Sequence, residues 1–502
     1  MKNIKYQLII ICAVFITSCS DYIDTSITGN QTLENFFKTE EEVNRAVMGC
    51  YAALSPNDWW QVDMFWLVGD VCSDDAFKGN TNPGDQRDFG NLADFNINPT
   101  NQWIDIKWRY TYQGIFRCNL VIKNAPTAIM NDDTRNRFIA EAKFLRAVHY
   151  FELVKNYGGV PLVLEPITIN EANLSRSSES QVWAQIEKDL LEASEFLPQK
   201  NQQTAAQIGR ATKGAAIAYL AKANLYQNKF QEAKTNAEIV INSGEYSLNA
   251  NFQNVWSINN KNSSESIFEI QHSYNDVFDT GNALPVVTRS RADGGWGFGT
   301  PSSHLDNFMG NDPRRIHTII RQGQFVNQNF PSYNTSPSEN MTGRINRKYF
   351  LDINDRPANA PEKRSALNHI LLRYADLLLM HAEASFQVGD ESSARNSMNL
   401  VRARVNLPAN NSNGQTLLSA IYNERRLELA MEGHRYYDLK RTGRLAQAMS
   451  DFLNYNMNTS TDTFDAGNDE GKFFNPSVHI LFPIPQTEID LSGGKITQNP
   501  GY

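Results

Sequence analysis

Two stretches of this chain, residues 211–243 and 372–404, follow one pattern at a shift of 161 residues. Ala221, Ala223, Leu225, Ala233 and Val240 in the first meet Ala382, Ala384, Phe386, Ala394 and Val401 in the second. Apolar positions recur at three- and four-residue steps, which makes each stretch a pair of helices. Small residues at the shared places let helix axes approach closely. A repeated unit of this kind buries its apolar face only by stacking on its neighbours. The chain is therefore held to a stacked helical frame.

Each unit is close to the roughly 34-residue length of a tetratricopeptide repeat, whose stacks form a right-handed superhelix that holds partners or buttresses another surface. Helical spacing with polar starts also marks residues 34–54, 103–124, 133–156 and 180–197. Gly158-Gly159 stops the third, and Val160–Leu164 reads as a short extended segment. Residues 249–369 change character, being rich in Asn, Ser, Gly and Pro with scattered aromatics. They read as an insertion of loops and short strands on the helical frame, where recognition residues tend to sit. The fold expected is mostly α, a tetratricopeptide-like scaffold carrying irregular loop and short-strand insertions.

Residues 417–433 form a further helix, closed by Gly433. Leu417, Ile421, Glu424, Glu428 and Met431 fall in one stripe of it. Two carboxylates inside an apolar stripe need partners, because a buried unpaired charge is costly. Arg402, Arg404, Arg425, Arg426, Arg435, Lys440 and Arg441 crowd the neighbouring sequence and are the expected cations.

At the N-terminus, Lys2 and Lys5 precede a nine-residue apolar run, residues 8–16, well short of the ~20 residues that span a bilayer. It reads as a secretory signal, and Ile16-Thr17-Ser18-Cys19 as a lipobox. Residues 1–18 would then be removed and Cys19 acylated, with more than one chain giving stable anchoring. Residues 19–210 form the N-terminal region with ligand-facing loops, and residues 211–502 the repeat-bearing C-terminal region.

A formal net charge of −8 and no basic run exclude a nucleic-acid binder. Beyond Cys12 and Cys19 only Cys50, Cys72 and Cys118 remain, too few for a disulfide framework; one pair would leave one thiol over. No CxxC or HExxH spacing points to a metal, and no cofactor motif is present. Residues 465–471 depart from a calcium-loop spacing and read as a solvated turn.

Several motifs resemble the SusD/RagB family of Bacteroidota outer-membrane lipoproteins. The block Glu424-Arg-Arg-Leu-Glu428 through Gly433-His-Arg-Tyr-Tyr-Asp-Leu-Lys440 is similar to its C-terminal signature. Glu141-Ala-Lys-Phe-Leu-Arg146 through Tyr150-Phe, with Tyr157-Gly-Gly-Val-Pro161, is similar to its N-terminal one. Leu372-Arg-Tyr-Ala-Asp376, Ala382-Glu-Ala384, Val401-Arg-Ala-Arg404, Asp312-Pro313-Arg314, the phrase at 481–490 and the ending Asn499-Pro-Gly-Tyr502 continue the match in order. Ser20, Asp21 and Asp24 resemble that phylum's signal for display on the outer surface. The resemblance implies a non-catalytic protein, lipid-anchored to the cell outer membrane and facing outward. It would bind an oligosaccharide or polysaccharide and hand it to a SusC-like TonB-dependent transporter, with the helical repeats toward that barrel. Some members of the RagB branch take peptides, which is the alternative cargo.

A glycan site needs exposed aromatic rings flanked by polar side chains. Residues 57–66 offer Trp59 and Trp60; residues 73–103 offer Asp74, Asp75, Lys78, Arg87 and Trp103; residues 292–301 lift Trp296 and Phe298 on glycines. Each has a bland reading beside the sharp one: one of two adjacent tryptophans sits in a core, and an Asp-Asp pair caps a turn. Trp296 is the best candidate, since its glycine neighbours give it nothing local to pack on. Trp66, Trp108, Trp183 and Trp256 lie in helical or alternating patterns and read as core.

The competing class is an all-helical glycoside hydrolase, which needs carboxyl groups about 5–5.5 Å apart if retaining or about 6.5–9.5 Å apart if inverting. Glu424 and Glu428, one turn apart, are the nearest match. Arginines beside them lower carboxylate pKa, whereas a catalytic acid needs it raised.

Overall fold

The computed structural model describes residues 36–55, 60–168, 171, 174–274, 280–356, 365–459 and 473–502. The signal segment, Cys19, Trp59 and residues 465–471 lie outside the described residues. The longer helices are α1 (Glu40–Ala52), α2 (Gln102–Asn124), α3 (Asp132–Tyr157), α4 (Glu179–Phe196), α5 (Lys213–Tyr226) and α6 (Phe230–Asn242). They continue as α7 (Tyr374–Gln387), α8 (Glu391–Arg404), α9 (Gly414–Leu429), α10 (Arg435–Arg441) and α11 (Leu445–Thr459).

Local sequence sets the boundaries. Thr39 and Glu42 close a capping box on α1, and Ser178 and Gln181 close one on α4. Gly158, with φ of 73°, ends α3. The two repeated stretches become α5–α6 and α7–α8, and the 161-residue shift carries the start of each helix onto its counterpart. Ala221, Ala223, Leu225, Ala233 and Val240, and in the second unit Ala382, Ala384, Ala394 and Val401, are buried; Phe386 is half-buried. Helices α2 to α9 pack each on the next in chain order, across the 121-residue insertion between α6 and α7's strand. One continuous core runs through them and through both sides of residue 210.

The strands are short and paired in twos. Antiparallel β1 (Ala76–Gly79) pairs with β3 (Phe298–Pro301), β2 (Ser266–Ile270) with β6 (His369–Arg373), and β4 (Ile319–Arg321) with β5 (Arg344–Asn346). The described residues of 249–369 form loops and short strands, as the composition implied, together with short helices at Leu284–Thr288, Ser303–Met309 and Arg315–Thr318. Val160–Leu164 joins no ladder. Its backbone is satisfied from the side: Tyr112 donates to the Pro161 carbonyl at 2.8 Å, and Tyr150 donates to the Val163 carbonyl at 2.9 Å.

Helix α9 ends at Leu429, four residues before Gly433, and its stripe is locked by ion pairs. Glu428 is fully buried. Arg373 reaches it at 2.5 Å and Arg314 at 3.0 Å, with Arg404 also on it. Arg314 and Arg402 hold Glu424 at 2.7 and 2.8 Å. Arg314 is clamped by Asp312, Arg373 and Arg404 also meet Glu265, and Arg373 and Lys348 meet Glu432. Two key cations, Arg314 and Arg373, come from far along the chain. Four of the expected ones go elsewhere: Arg425 to Asp376 and Asp438, Arg426 and Arg435 to Asp74 and Asp75, and Arg441 to Glu383 and Asp438. Lys440 donates to the Lys155 carbonyl at 2.6 Å.

The turn after α9 closes on the N-terminal half through backbone. A Cβ on Gly69 would lie 1.8 Å from the Gly433 carbonyl oxygen, and one on Gly433 would lie 2.4 Å from that of Trp66. Only glycines fit this crossing, and Gly433 also holds φ of 80°.

Burial alone would raise the Glu428 carboxyl, but Arg404, Arg373 and Arg314 hold it well below its ordinary value of 4.5. A depressed carboxylate contributes stability that is full above its unfolded-state value and lost as pH falls toward its folded one. Glu428→Gln is therefore expected to lower unfolding free energy by about 3–5 kcal/mol at neutral pH. Urea unfolding across pH should show that gap narrowing below pH 4.5; an equal gap at every pH contradicts the account.

Candidate functional site

The β1–β3 ladder builds the site. Its register pairs Gly79 with Phe298, and a Cβ on Gly79 would meet the Gly297 carbonyl oxygen at 2.3 Å. This contact brings the loop after β1 against the turn before β3. The backbone N–H of Trp296 donates to the Val286 carbonyl at 2.9 Å, and its half-buried ring rests on the main core. Arg291, in the same turn, meets Asp85 of the β1 loop at 2.7 Å, and Asn80 also donates to Asp85. Lys78 folds that loop by donating to the carbonyls of Asn82 and Asp85.

A third segment closes the assembly. Thr81 N–H donates to the Glu339 carbonyl, and Ser290 donates to the Asn334 carbonyl at 2.8 Å. Asp293 receives both outer nitrogens of Arg356, at 2.8 and 2.7 Å, and the Tyr333 hydroxyl. The loops at 80–87, 289–297 and 330–345 are therefore one surface. Trp296 and the loop after β1 share it. Arg87, which starts the helix Arg87–Ala93, is exposed beside them.

Four other candidates do not reach that surface. Asp74 and Asp75 are buried against guanidiniums: Arg435 donates to Asp74 at 2.7 and 2.9 Å, and Arg426 to Asp75 at 2.8 Å. Burial would raise the Asp74 carboxyl, but Arg426 and Arg435 outweigh it and hold it well below the usual carboxylate range. Phe298 and Trp103 are core rings, each packed on Phe89 at 6.4 and 5.1 Å. All four residues of β3 are buried, Phe298 among them, and the Trp103 N–H donates to the Asn101 side chain that caps α2. Trp60 opens the short helix Trp60–Met64. Trp108, Trp183 and Trp256 are buried, and Trp66 is half-buried under Lys107, whose Nζ lies 4.3 Å from the ring centre.

The structure adds residues the sequence reading missed. Asp85, Asn80 and Arg291 brace the Trp296 turn, and Phe325, 58% exposed, stands on the hairpin after β4. Gly323 of that hairpin donates to the carbonyl of Tyr333, whose hydroxyl reaches Asp293. Residues 322–331 mix Phe with Gln, Asn and Gly, and that mixture of aromatic and polar residues was the available signal. Among the described residues no group of His, Cys, Asp or Glu is arranged to hold a metal ion.

Glu424 and Glu428 are sealed from solvent and saturated by guanidiniums. Glu428, held ionised by its arginines, has no proton to give a leaving group. What the fold and surface define is a helical-repeat protein whose surface loops are braced by ion pairs.

Comparison with known proteins places it further. Residues 233–502 match the model of the SusD family, and residues 21–225 match a family described as starch-binding and associating with the outer membrane. The chain belongs to the SusD family. SusD-like protein P2 of Formosa agariphila is 28% identical over 540 aligned positions that cover all of both chains. A solved laminarin binding SusD-like protein superposes with a TM-score of 0.78 at 31% identity, over 93% of this chain and 100% of that one. Surface glycan-binding protein A of Bacteroides thetaiotaomicron, solved in complex with laminarihexaose, gives 0.77 at 25% identity, over 92% and 100%.

The placement of Trp103 and Arg87 is checked by stability. Trp103→Ala should cost about 3–5 kcal/mol in urea unfolding, as the removal of a core ring does, and Arg87→Ala less than about 0.5 kcal/mol. Equal costs would contradict the positions given.

Proposed function

We propose that this protein is a cell-surface lipoprotein that captures an oligosaccharide on the Trp296 surface and passes it, uncleaved, to a SusC-like TonB-dependent transporter. The observation that carries the reading is the joining of three loops around one partly exposed indole. An aromatic face braced by Asp85, Arg291 and Asn80 suits a sugar ring, which offers CH groups to the indole and hydroxyls to the rim. Arg87 and Phe325 extend the polar and apolar parts of the same surface. Family membership and relatives named for laminarin and laminarihexaose support a glycan as cargo and a β-glucan as the first one to test.

Anchoring through acylated Cys19 follows from the lipobox, with the mature chain beginning there and its surface turned to the medium. The helical stack from α2 to α9 is the face proposed for the barrel. Absence of catalysis is supported by the sealed state of Glu424 and Glu428.

Affinity electrophoresis and calorimetry on a polysaccharide panel, using the chain from residue 20, should show retardation by one glycan class. Trp296→Ala should weaken that binding tenfold or more, about 1.4 kcal/mol. Release of new reducing ends overturns the non-catalytic reading. Unchanged affinity in Trp296→Ala removes this surface as the site, and binding of peptides without any glycan replaces the cargo.

A further inference from the structure

Several groups of buried ions in this protein balance in charge. Around α9, Asp312, Glu265, Glu424, Glu428 and Glu432 meet Arg314, Arg373, Arg402, Arg404 and Lys348, five against five. Asp74 and Asp75 meet Arg426 and Arg435, two against two. Asp376, Asp438 and Glu383 meet Lys222, Arg425 and Arg441, three against three.

Around Glu152 of α3 they do not. Two ammonium groups share this one carboxylate, Lys155 at 2.6 Å and Lys107 of α2 at 3.0 Å. Lys440 adds another buried amine directly behind, on the Lys155 carbonyl. A surplus positive charge taken out of water is costly, and neither ammonium makes a further ion pair among the described residues.

Beside this group lies a narrow polar cleft of about 40 Å³. Lys155, Lys222 of α5 and Trp66 line it, together with Glu152 and Glu432, whose oxygens are already taken by cations. Its donors are underused. Among the described residues Lys222 makes a single ion pair, to Asp376 at 3.3 Å, although an ammonium carries three N–H groups. The buried indole N–H of Trp66 has no acceptor among the described residues. His369 and His434 also line the cleft; burial pulls them down to about 3 and about 4, so both are neutral at pH 7 and add no charge.

We propose that this cleft binds one small monovalent anion, a halide, held by Lys155, Lys222 and the Trp66 indole. The space exceeds the roughly 10–15 Å³ that one water needs, so a halide fits. A water molecule would fill the space and accept hydrogen bonds, but it brings no charge to offset the second ammonium on Glu152. A halide does both. It would also tie together α3, α5 and the turn after α9 that crosses Gly69. The site is distinct from the Trp296 surface and does not depend on the cargo.

The test is diffraction from crystals grown in sodium bromide, with data collected at the bromine edge. An anomalous peak between Lys155, Lys222 and Trp66 is expected. Lys155→Met leaves Lys107 and Glu152 paired one to one, so its crystals should lose the peak. In solution, exchanging sodium gluconate for sodium bromide at equal ionic strength should raise the melting temperature of the native protein by a few degrees and leave Lys155→Met unmoved. No peak in native crystals overturns the proposal, whatever the variant does. An equal peak or an equal melting shift in native and variant overturns the role of the unbalanced charge.

Discussion

Three guanidiniums converge on the Glu428 carboxylate, and each belongs to a different part of the chain. Arg404 ends the second repeat unit, Arg373 ends the strand that leads into it, and Arg314 sits in the loop-rich insertion. Through Glu424, Glu265 and Glu432 the same network reaches α9 and the turn after it. The repeats, the insertion and the C-terminal block are thus joined by charge as well as by apolar contact. Each ion is affordable in the interior only because its partners are in place. Removing one leaves several others stranded, which makes the junction all-or-none.

That junction explains how an irregular insertion serves as a rigid platform. Strands of three to five residues in pairs have little stability alone. Here β4–β5 is pinned from behind by Arg314 and Lys348, and β2–β6 by Arg373. In front, Asp85, Asp293 and their arginines fix the loops around Trp296. A ring preset in this manner loses little freedom when a ligand covers it, so modest contact area goes further toward binding.

Much of the frame was legible in the chain itself. The 161-residue repeat located α5 to α8, and capping residues set helix starts within a few positions. The carboxylate stripe of α9 announced a buried ion network, but not its membership. Helical neighbours in sequence point around the helix to different clusters, so Arg425 and Arg426 serve Asp376 and Asp75 instead of Glu428. The site was harder to read. Trp296 stood out because glycines deny it local packing, whereas Asp74, Asp75, Phe298 and Trp103 looked equally suitable by type. Their burial depends on Arg426, Arg435 and Phe89, partners that sequence proximity does not reveal. Asp85 and Arg291 were invisible for the same reason, being brought together by a strand pairing across more than two hundred residues.

In the proposed function the loops joined by β1 and β3 hold the ligand, and the buried carboxylates only hold the loops. The most direct measurement is a crystal structure with a bound oligosaccharide, beginning with laminarihexaose. The account predicts a sugar ring stacked on Trp296 with hydroxyls on the Asp85–Arg291 rim, and no sugar near Glu424 or Glu428. Density for the sugar elsewhere, with the Trp296 surface bare, would contradict it.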